Sequence, residues 1–437
     1  MLRRRRFLNA SHLMISKFSR HLFFVAHLAA LVACSGSSYL RRPVETLTAV
    51  VDAGSSGSRI YLYKTTPDDS FIQITTLFTS KDVPHELSWY DGTKGADSAP
   101  GNAGAAGIQP LLLRMNAYMG NQGIRKDQVA VSVLATAGMR MVDANTASTI
   151  YQSVKSTVTG NGFTYHQVGT LTGQNEGLYA WADVNFLAGN FKRGAVTQGI
   201  VEVGGASSQV AFVTSSSQDP NVVTPLVNGV RYPVFSVSYL GLGQSQARLA
   251  MIKDSASGGV NSSVCYPNNG TGSPAAYDAD AGELHISSTG SSYSAACYGV
   301  YEKVITNVSA SAGNNYPITT ISSLKGFNTT QFLGVSSVYK VLKDWGALNA
   351  ANPQQSLQDA VISKCSGSNA WPGVLAQYKN VASVFSQNAC ANATYLNAYV
   401  YGRQSLGVNP SRLVGTDTIN GSDLTWTRGF LVVDAAP

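Results

Sequence analysis

Two short strings constrain this chain more than anything else in it. Thr48 to Val51 is an apolar β-type run that ends in Asp52-Ala-Gly-Ser-Ser-Gly-Ser-Arg59, and Arg59 to Tyr63 resumes a strand. About 150 residues later the pattern recurs: Gly199 to Val203 is a short run containing Glu202, followed by Gly204-Gly-Ala-Ser-Ser-Gln209, and Val210 to Val213 resumes the strand. Two acid-bearing strands with small-residue turns predict an internal duplication. The small residues let backbone N–H groups close around an anion, and Ser55, Ser56, Ser58 and Ser207 add hydroxyl donors. Two such loops facing one another would grip a phosphate chain from both sides, which is most of what phosphoryl transfer demands. The acids Asp52 and Glu202 suit a metal held through its waters.

Between the strings, Val129 to Leu134 reads as a buried strand ending in Thr136-Ala-Gly-Met-Arg140, and 143–158 reads as a helix. Gly92 to Gly107, rich in Gly and Ala, predicts a loop. The stretch 254–295 predicts a long loop region holding the first cysteine pair. Helical periodicity covers Val335–Trp345 and Val374–Phe385. Alternating strands and helices make this an α/β protein, and 437 residues exceed one core and predict two domains.

Charge bears on compartment rather than on partners. Six of the 31 basic residues (Arg3, Arg4, Arg5, Arg6, Lys17, Arg20) lie upstream of Cys34, leaving 25 against 24 acids, so no basic patch for nucleic acid survives. Leu22 to Ala33 is an apolar run too short to span a bilayer and reads as the core of an export signal, with Met14 as an alternative start. Leu31-Val-Ala-Cys34 resembles a bacterial lipobox, which makes Cys34 a lipidation site; Arg4-Arg-Arg-Phe-Leu8 resembles a twin-arginine signal. Cys265, Cys297, Cys365 and Cys390 then remain, an even number that predicts two disulfides. Of three connectivities, Cys265–Cys297 with Cys365–Cys390 is the shortest-range choice. No metal-ligand spacing joins these cysteines, nor His85, His166 and His285.

The candidate general base is Glu176, in Gly173-Gln-Asn-Glu-Gly177-Leu-Tyr-Ala-Trp181. A carboxylate flanked by glycines and aromatics is readily desolvated, which raises its pKa toward useful values. There is no GxxxxGK[ST] loop, HExxH helix or GxSxG elbow to suggest another chemistry.

Taken together, DAGSSGSR at 52–59, TAGMR at 136–140, LTGQNEGLYAW at 171–181, EVGGASSQ at 202–209 and TWTRG at 425–429 resemble, in order, the five motifs of the apyrase, or nucleoside triphosphate diphosphohydrolase, family. The resemblance implies two ribonuclease-H-like lobes of the actin, sugar kinase and exopolyphosphatase superfamily, with the active site in the cleft between them. It implies a signal at 1–34, a tether at 35–45, lobe I at 46–172 plus 416–437, and lobe II at 173–415. Its implied activity is hydrolysis of nucleoside tri- and diphosphates to the monophosphate with Mg²⁺ or Ca²⁺. Carried onto this sequence, Ser55, Ser56, Gly57, Ser58 and Arg59 bind phosphate, as do Gly204, Gly205, Ala206 and Ser207. Glu176 deprotonates the water, with Thr136, Ser207 and Gln209 beside the reacting group. Asp52, Glu202 and Trp426 surround the hydrated metal, and Tyr339 and Tyr395 stack on the base.

Three departures stand out. Glu202 replaces the usual Asp, and Asp183 and Phe186 replace a small residue and a His or Tyr. The expected protein is an exported monomer in the periplasm, outer membrane, cell surface or medium. Its partners are nucleotides, and any membrane contact is through the lipid anchor. An exopolyphosphatase-like hydrolase, or a non-catalytic nucleotide-binding surface lipoprotein, is the alternative.

Overall fold

The first string folds as a tight hairpin in which β1 (Thr46–Gly54) turns into β2 (Gly57–Thr66), with Asp52 opposite Arg59 and Gly54 opposite Gly57. Gly57 takes φ 127°, a conformation that favours glycine. β3 (Gln73–Lys81) extends the meander. β4 (Val129–Ala135) and β5 (Thr164–Thr170) join in parallel on the other side of β1, in the order β3-β2-β1-β4-β5.

The second string repeats this. β6 (Gly199–Val203) turns into β7 (Ser207–Val213), with Glu202 opposite Gln209. After a short β8 (Val222–Val223), β9 (Val234–Leu240) completes the meander, and β10 (Phe332–Ser336) and β11 (Leu413–Gly415) add in parallel beside β6. The order β11-β10-β6-β7-β9-β8 is that of the first sheet with one edge strand added. The duplication read from two strings is therefore a duplication of topology.

The computed structural model describes residues 45–434 except 67–71, 82, 84, 258–259, 267–275, 279–283, 289–293, 312, 315 and 367–387. The signal, Cys34, the tether up to residue 44 and the helix expected at Val374–Phe385 lie outside the described residues. No described helix is long and apolar enough to cross a membrane.

Helices cover both sheets. α1 (Gln109–Asn121), the short α2 (Ala137–Arg140) and α3 (Ala144–Gly160) belong to the first; Leu111, Met115, Ile150 and Val154 pack on Val51, Val131 and Val133. Asp143 caps α3 by accepting from the amides of Asn145 and Thr146. α4 (Gly173–Leu187) buries ten successive residues, Glu176 to Asn185. α5 (Gln244–Ser255), α6 (Ser294–Ser309), α7 (Ser337–Asp344), α8 (Pro353–Cys365) and α9 (Ala389–Tyr401) pack with the second sheet. α10 (Trp426–Asp434) returns against α4, so that Tyr179, Trp181 and Phe430 form one core with Val50, Leu134 and Ile200 from both sheets. α4 and α9 carry apolar residues all round, as a helix must when it has no solvent face.

Three expectations are corrected. Gly92 to Gly107 is a loop only as far as Gly95: short 3-10 turns at Ala96–Ser98 and Pro100–Asn102 lead into a π-helical stretch, Ala103–Ile108, that runs on into α1. The small residues are there for close approach, since a Cβ on Gly104 would lie 2.3 Å from the Ser153 carbonyl oxygen of α3. The region 254–295 holds four short strands, Ala256–Ser257, Val260–Ser263, Ala276–Asp278 and Leu284–Ser288, in one small sheet. Their Ser- and Asn-rich sequence lacks the alternation that marks a strand. Finally, Val335 and Ser336 end a strand, and the helix begins only at Ser337.

The disulfides are Cys265–Cys297 and Cys365–Cys390, closing intervals of 32 and 25 residues. By chain entropy each such cross-link contributes about 3.5 kcal/mol. Replacing the second by Cys365→Ser/Cys390→Ser should lower the urea unfolding free energy by roughly that amount. A loss below about 1 kcal/mol would refute the entropic account for this loop.

Candidate active site

The two hairpin turns and the end of β4 meet where the parallel strands run out at their carboxyl ends, the usual place for a ligand on such sheets. A Cβ on Gly205 would stand 3.0 Å from Ser55 Oγ, and one on Gly138 would stand 3.4 Å from Ser55 Cα. The two small-residue loops therefore face each other, with the Thr136–Arg140 turn beside them. Thr136 is buried and donates its amide to Ala53 at 3.2 Å, which ties this turn to the first hairpin.

The second loop is held in a way that frees its donors. Its carbonyls are taken by the start of α5 and the residue after β9: Gln244 N donates to Gly204 O at 2.8 Å, Ser245 N to Gly205 O at 3.0 Å and Gly241 N to Ala206 O at 2.8 Å. In a trans peptide the N–H points opposite the C=O. The amides of Gly205 and Ala206 are thereby turned away from α5, and that of Ser207 away from Gly241, as an anion nest requires. In the first loop the buried Ser58 Oγ has no hydrogen-bond partner, while Ser55 is half-buried and Ser56 exposed.

Glu176 sits in the first turn of α4, where the helix N-terminus favours a carboxylate; Thr172 caps the helix by accepting from Asn175 N at 3.2 Å. The flanking glycines bring it in. A Cβ on Gly173 would strike Ser238 Cβ at 2.3 Å, and one on Gly177 would meet Ser236 Oγ at 2.6 Å, so α4 lies directly on β9. Glu176 is buried and accepts from Gln209 Nε2 at 3.0 Å and from the Arg140 guanidinium, with which it is ion-paired. Gln209 also reaches Ser207 Oγ at 2.6 Å and Ser238 Oγ at 3.1 Å; Arg140 Nε is anchored on Leu171 O at 2.9 Å. Burial raises the Glu176 pKa, and the Arg140 charge opposes it.

Asp52, Arg59, Glu202 and Trp426 line one cavity of about 210 Å³ with Tyr61 and Asp183. Asp52 is pushed up to about 6 by burial, against the Arg59 charge 3.7 Å away. Glu202 is pushed up to about 8, first by its removal from water and then by the charges of Glu176, Asp52 and Asp183. Among the described residues no three His, Cys, Asp or Glu side chains converge as direct ligands. Two buried carboxylates that are each costly to ionise away from water do fit a cation held through its waters.

Four of the residues that matter here went unassigned in the sequence. Arg140 was visible only as part of TAGMR, and Ser238, Gln244 and Ser245 carried no signal of their own. The base sandwich is a correction. Tyr395 is fully buried in α9, donates its hydroxyl to Leu242 O and packs against Tyr301 and Tyr399, so it has no face to offer a ligand. Tyr339 is half-buried on α7, with Lys343 Nζ 5.3 Å from its ring centre. It stands one turn beyond Ser336, a cavity residue at φ 58°.

The sequence pattern of the GDA1/CD39 (nucleoside phosphatase) family matches residues 44–435. Ectonucleoside triphosphate diphosphohydrolase 6 of Homo sapiens is 33% identical over 213 residues, covering 46% of this chain and 42% of that protein. Probable apyrase 5 of Arabidopsis thaliana is 29% identical over 222 residues, covering 48% and 43%. The chain thus matches less than half the length of these relatives. A crystal structure of nucleoside triphosphate hydrolases from Neospora caninum superposes with a TM-score of 0.58 at 16% identity, covering 90% of this chain and 93% of that one. At that identity the likeness speaks for the fold.

Proposed function

Because the chain belongs to the GDA1/CD39 (nucleoside phosphatase) family, we propose that it hydrolyses nucleoside tri- and diphosphates to the monophosphate. The observation that carries this reading is the opposition of Ser55 and Gly205 across the cleft, beside a buried, Gln209-bonded Glu176. The two loops hold the terminal phosphates, the first through Ser55, Ser56, Gly57 and Ser58 with Arg59, the second through the amides of Gly204 to Ser207. Glu176 takes a proton from water as the water oxygen bonds to the terminal phosphorus and the bridging P–O bond breaks. Gln209 and Ser207 orient that water, and Thr136 flanks the phosphoryl group. Asp52, Glu202 and Trp426 are the residues that would hold a divalent cation through its waters. When bound, the cation neutralises charge on the phosphoryl oxygens. Tyr339 keeps its assignment to the base. Residues 1–34 support export, with Cys34 as the lipid attachment.

A panel of phosphate substrates tests this. ATP and ADP should both release inorganic phosphate and stop at AMP, and chelator should abolish release. In this reading the two loops hold the terminal phosphoryl group at the reacting position, so pyrophosphate or nucleoside as a main product would overturn it. Preference for long-chain polyphosphate over nucleotides would favour the exopolyphosphatase alternative.

A further inference from the structure

Behind the proposed cation site lies a buried ion pair with no assigned role. Asp183 stands on α4 two turns beyond Glu176 and lines the same cavity as Asp52, Glu202 and Trp426, yet both its oxygens are engaged. Oδ1 accepts from Arg428 Nε at 2.7 Å, and Oδ2 accepts from the backbone amide of Thr425 at 2.8 Å. Arg428 Nη2 donates onward to Asp423 O at 2.6 Å. Asp183 and Arg428 are 1% and 4% exposed, a depth at which an ion pair seldom stabilises a fold more than an apolar pair of the same volume would.

The contact between the two helices does not depend on this pair. α10 already meets α4 through Gly429, whose missing Cβ lets it approach the Tyr179 carbonyl, and Thr427 Oγ1 bonds Tyr63 Oη at 2.6 Å. What the carboxylate adds is direction. It grips the chain at Thr425 and again at Arg428, on either side of Trp426, and so fixes the rotation of the first turn of α10. The Trp426 side chain, set by that rotation, lines the cavity together with Asp52 and Glu202.

We propose that Asp183 and Arg428 are positioning residues for the cation site, holding Trp426 in the wall it shares with Asp52 and Glu202. The proposal rests on the cation reading given above. Second-row partners of this kind are worth about 10–100-fold in metal affinity.

Mn²⁺ binding to the purified protein, followed by electron paramagnetic resonance without substrate, separates the possibilities. Asp183→Ala/Arg428→Met removes both charges and leaves neither partner stranded. It should stay folded and bind Mn²⁺ at least about tenfold more weakly, while affinity for a non-hydrolysable nucleotide in chelator changes less than about twofold. Asp183→Asn, which keeps the side-chain shape, should weaken Mn²⁺ in the same sense and decides the matter should the double variant fail to fold. Asp52→Ala is the control and should lose Mn²⁺ binding. If the control loses binding while the Asp183 variants retain wild-type affinity, the pair is structural only and the proposal falls. Should Asp52→Ala bind Mn²⁺ like the wild type, the cation reading fails and takes this one with it.

Discussion

Glu176→Gln should bind nucleotide as the unaltered chain does and turn it over about 10²–10⁴ times more slowly, the usual span for a general base. The amide keeps the size of the side chain and an acceptor for Gln209 Nε2, so the pocket is preserved while proton acceptance is lost. Among the described residues no histidine lines the cavity or touches Glu176, so nothing stands ready to substitute. The pH profile carries the sign. A base works ionised, and burial raises the pKa of Glu176, so activity should fall as pH drops through a value above the ordinary carboxylate range. The part of that limb owed to Glu176 should vanish in Glu176→Gln. It should move to higher pH in Arg140→Ala, which removes the charge that opposes the burial. A Glu176→Gln variant with half the wild-type kcat would end the assignment.

Gly429→Ala should destabilise the fold by about 3 kcal/mol or more, the upper range for overpacking. The added methyl would stand 1.8 Å from Tyr179 O, 2.7 Å from its carbonyl carbon and 2.9 Å from Asp183 N. All three are backbone atoms of α4, a helix buried along ten residues, so no side chain can rotate away and one helix must shift. Gly120→Ala on α1, where the new methyl meets nothing within 4 Å, is the matched control and should be neutral or mildly stabilising. Equal urea midpoints for the two variants would show that α4 and α10 slide apart at little cost.

What the sequence made legible was chemistry carried by contiguous strings. The hairpins at Asp52–Arg59 and Glu202–Gln209 place acid, turn and partner within eight residues, so their local geometry follows from local rules. Two misreadings have a different origin. A Gly/Ala stretch reads the same whether it is loose or pressed against a neighbour, and only α3 decides that Gly104 is pressed. Likewise a tyrosine in a helix is a platform or a core residue according to what surrounds the helix, and α9 is enclosed along its whole length. The Asp183–Arg428 pair spans 245 residues. Asp183 was visible as an oddity, but its partner was not, because nothing local links them.

The repeated strand order has a further consequence. Two copies of one sheet meeting at a cleft define a pseudo-dyad, and identical copies would offer a ligand two interchangeable ends. The register shows where the copies parted: Arg59 faces Asp52 on one side, and Gln209 faces Glu202 on the other. One half thus keeps a fixed positive charge where the other keeps a neutral amide that reaches Glu176. That difference gives a near-symmetric frame a polarity, and a linear anion lying in it has a head and a tail.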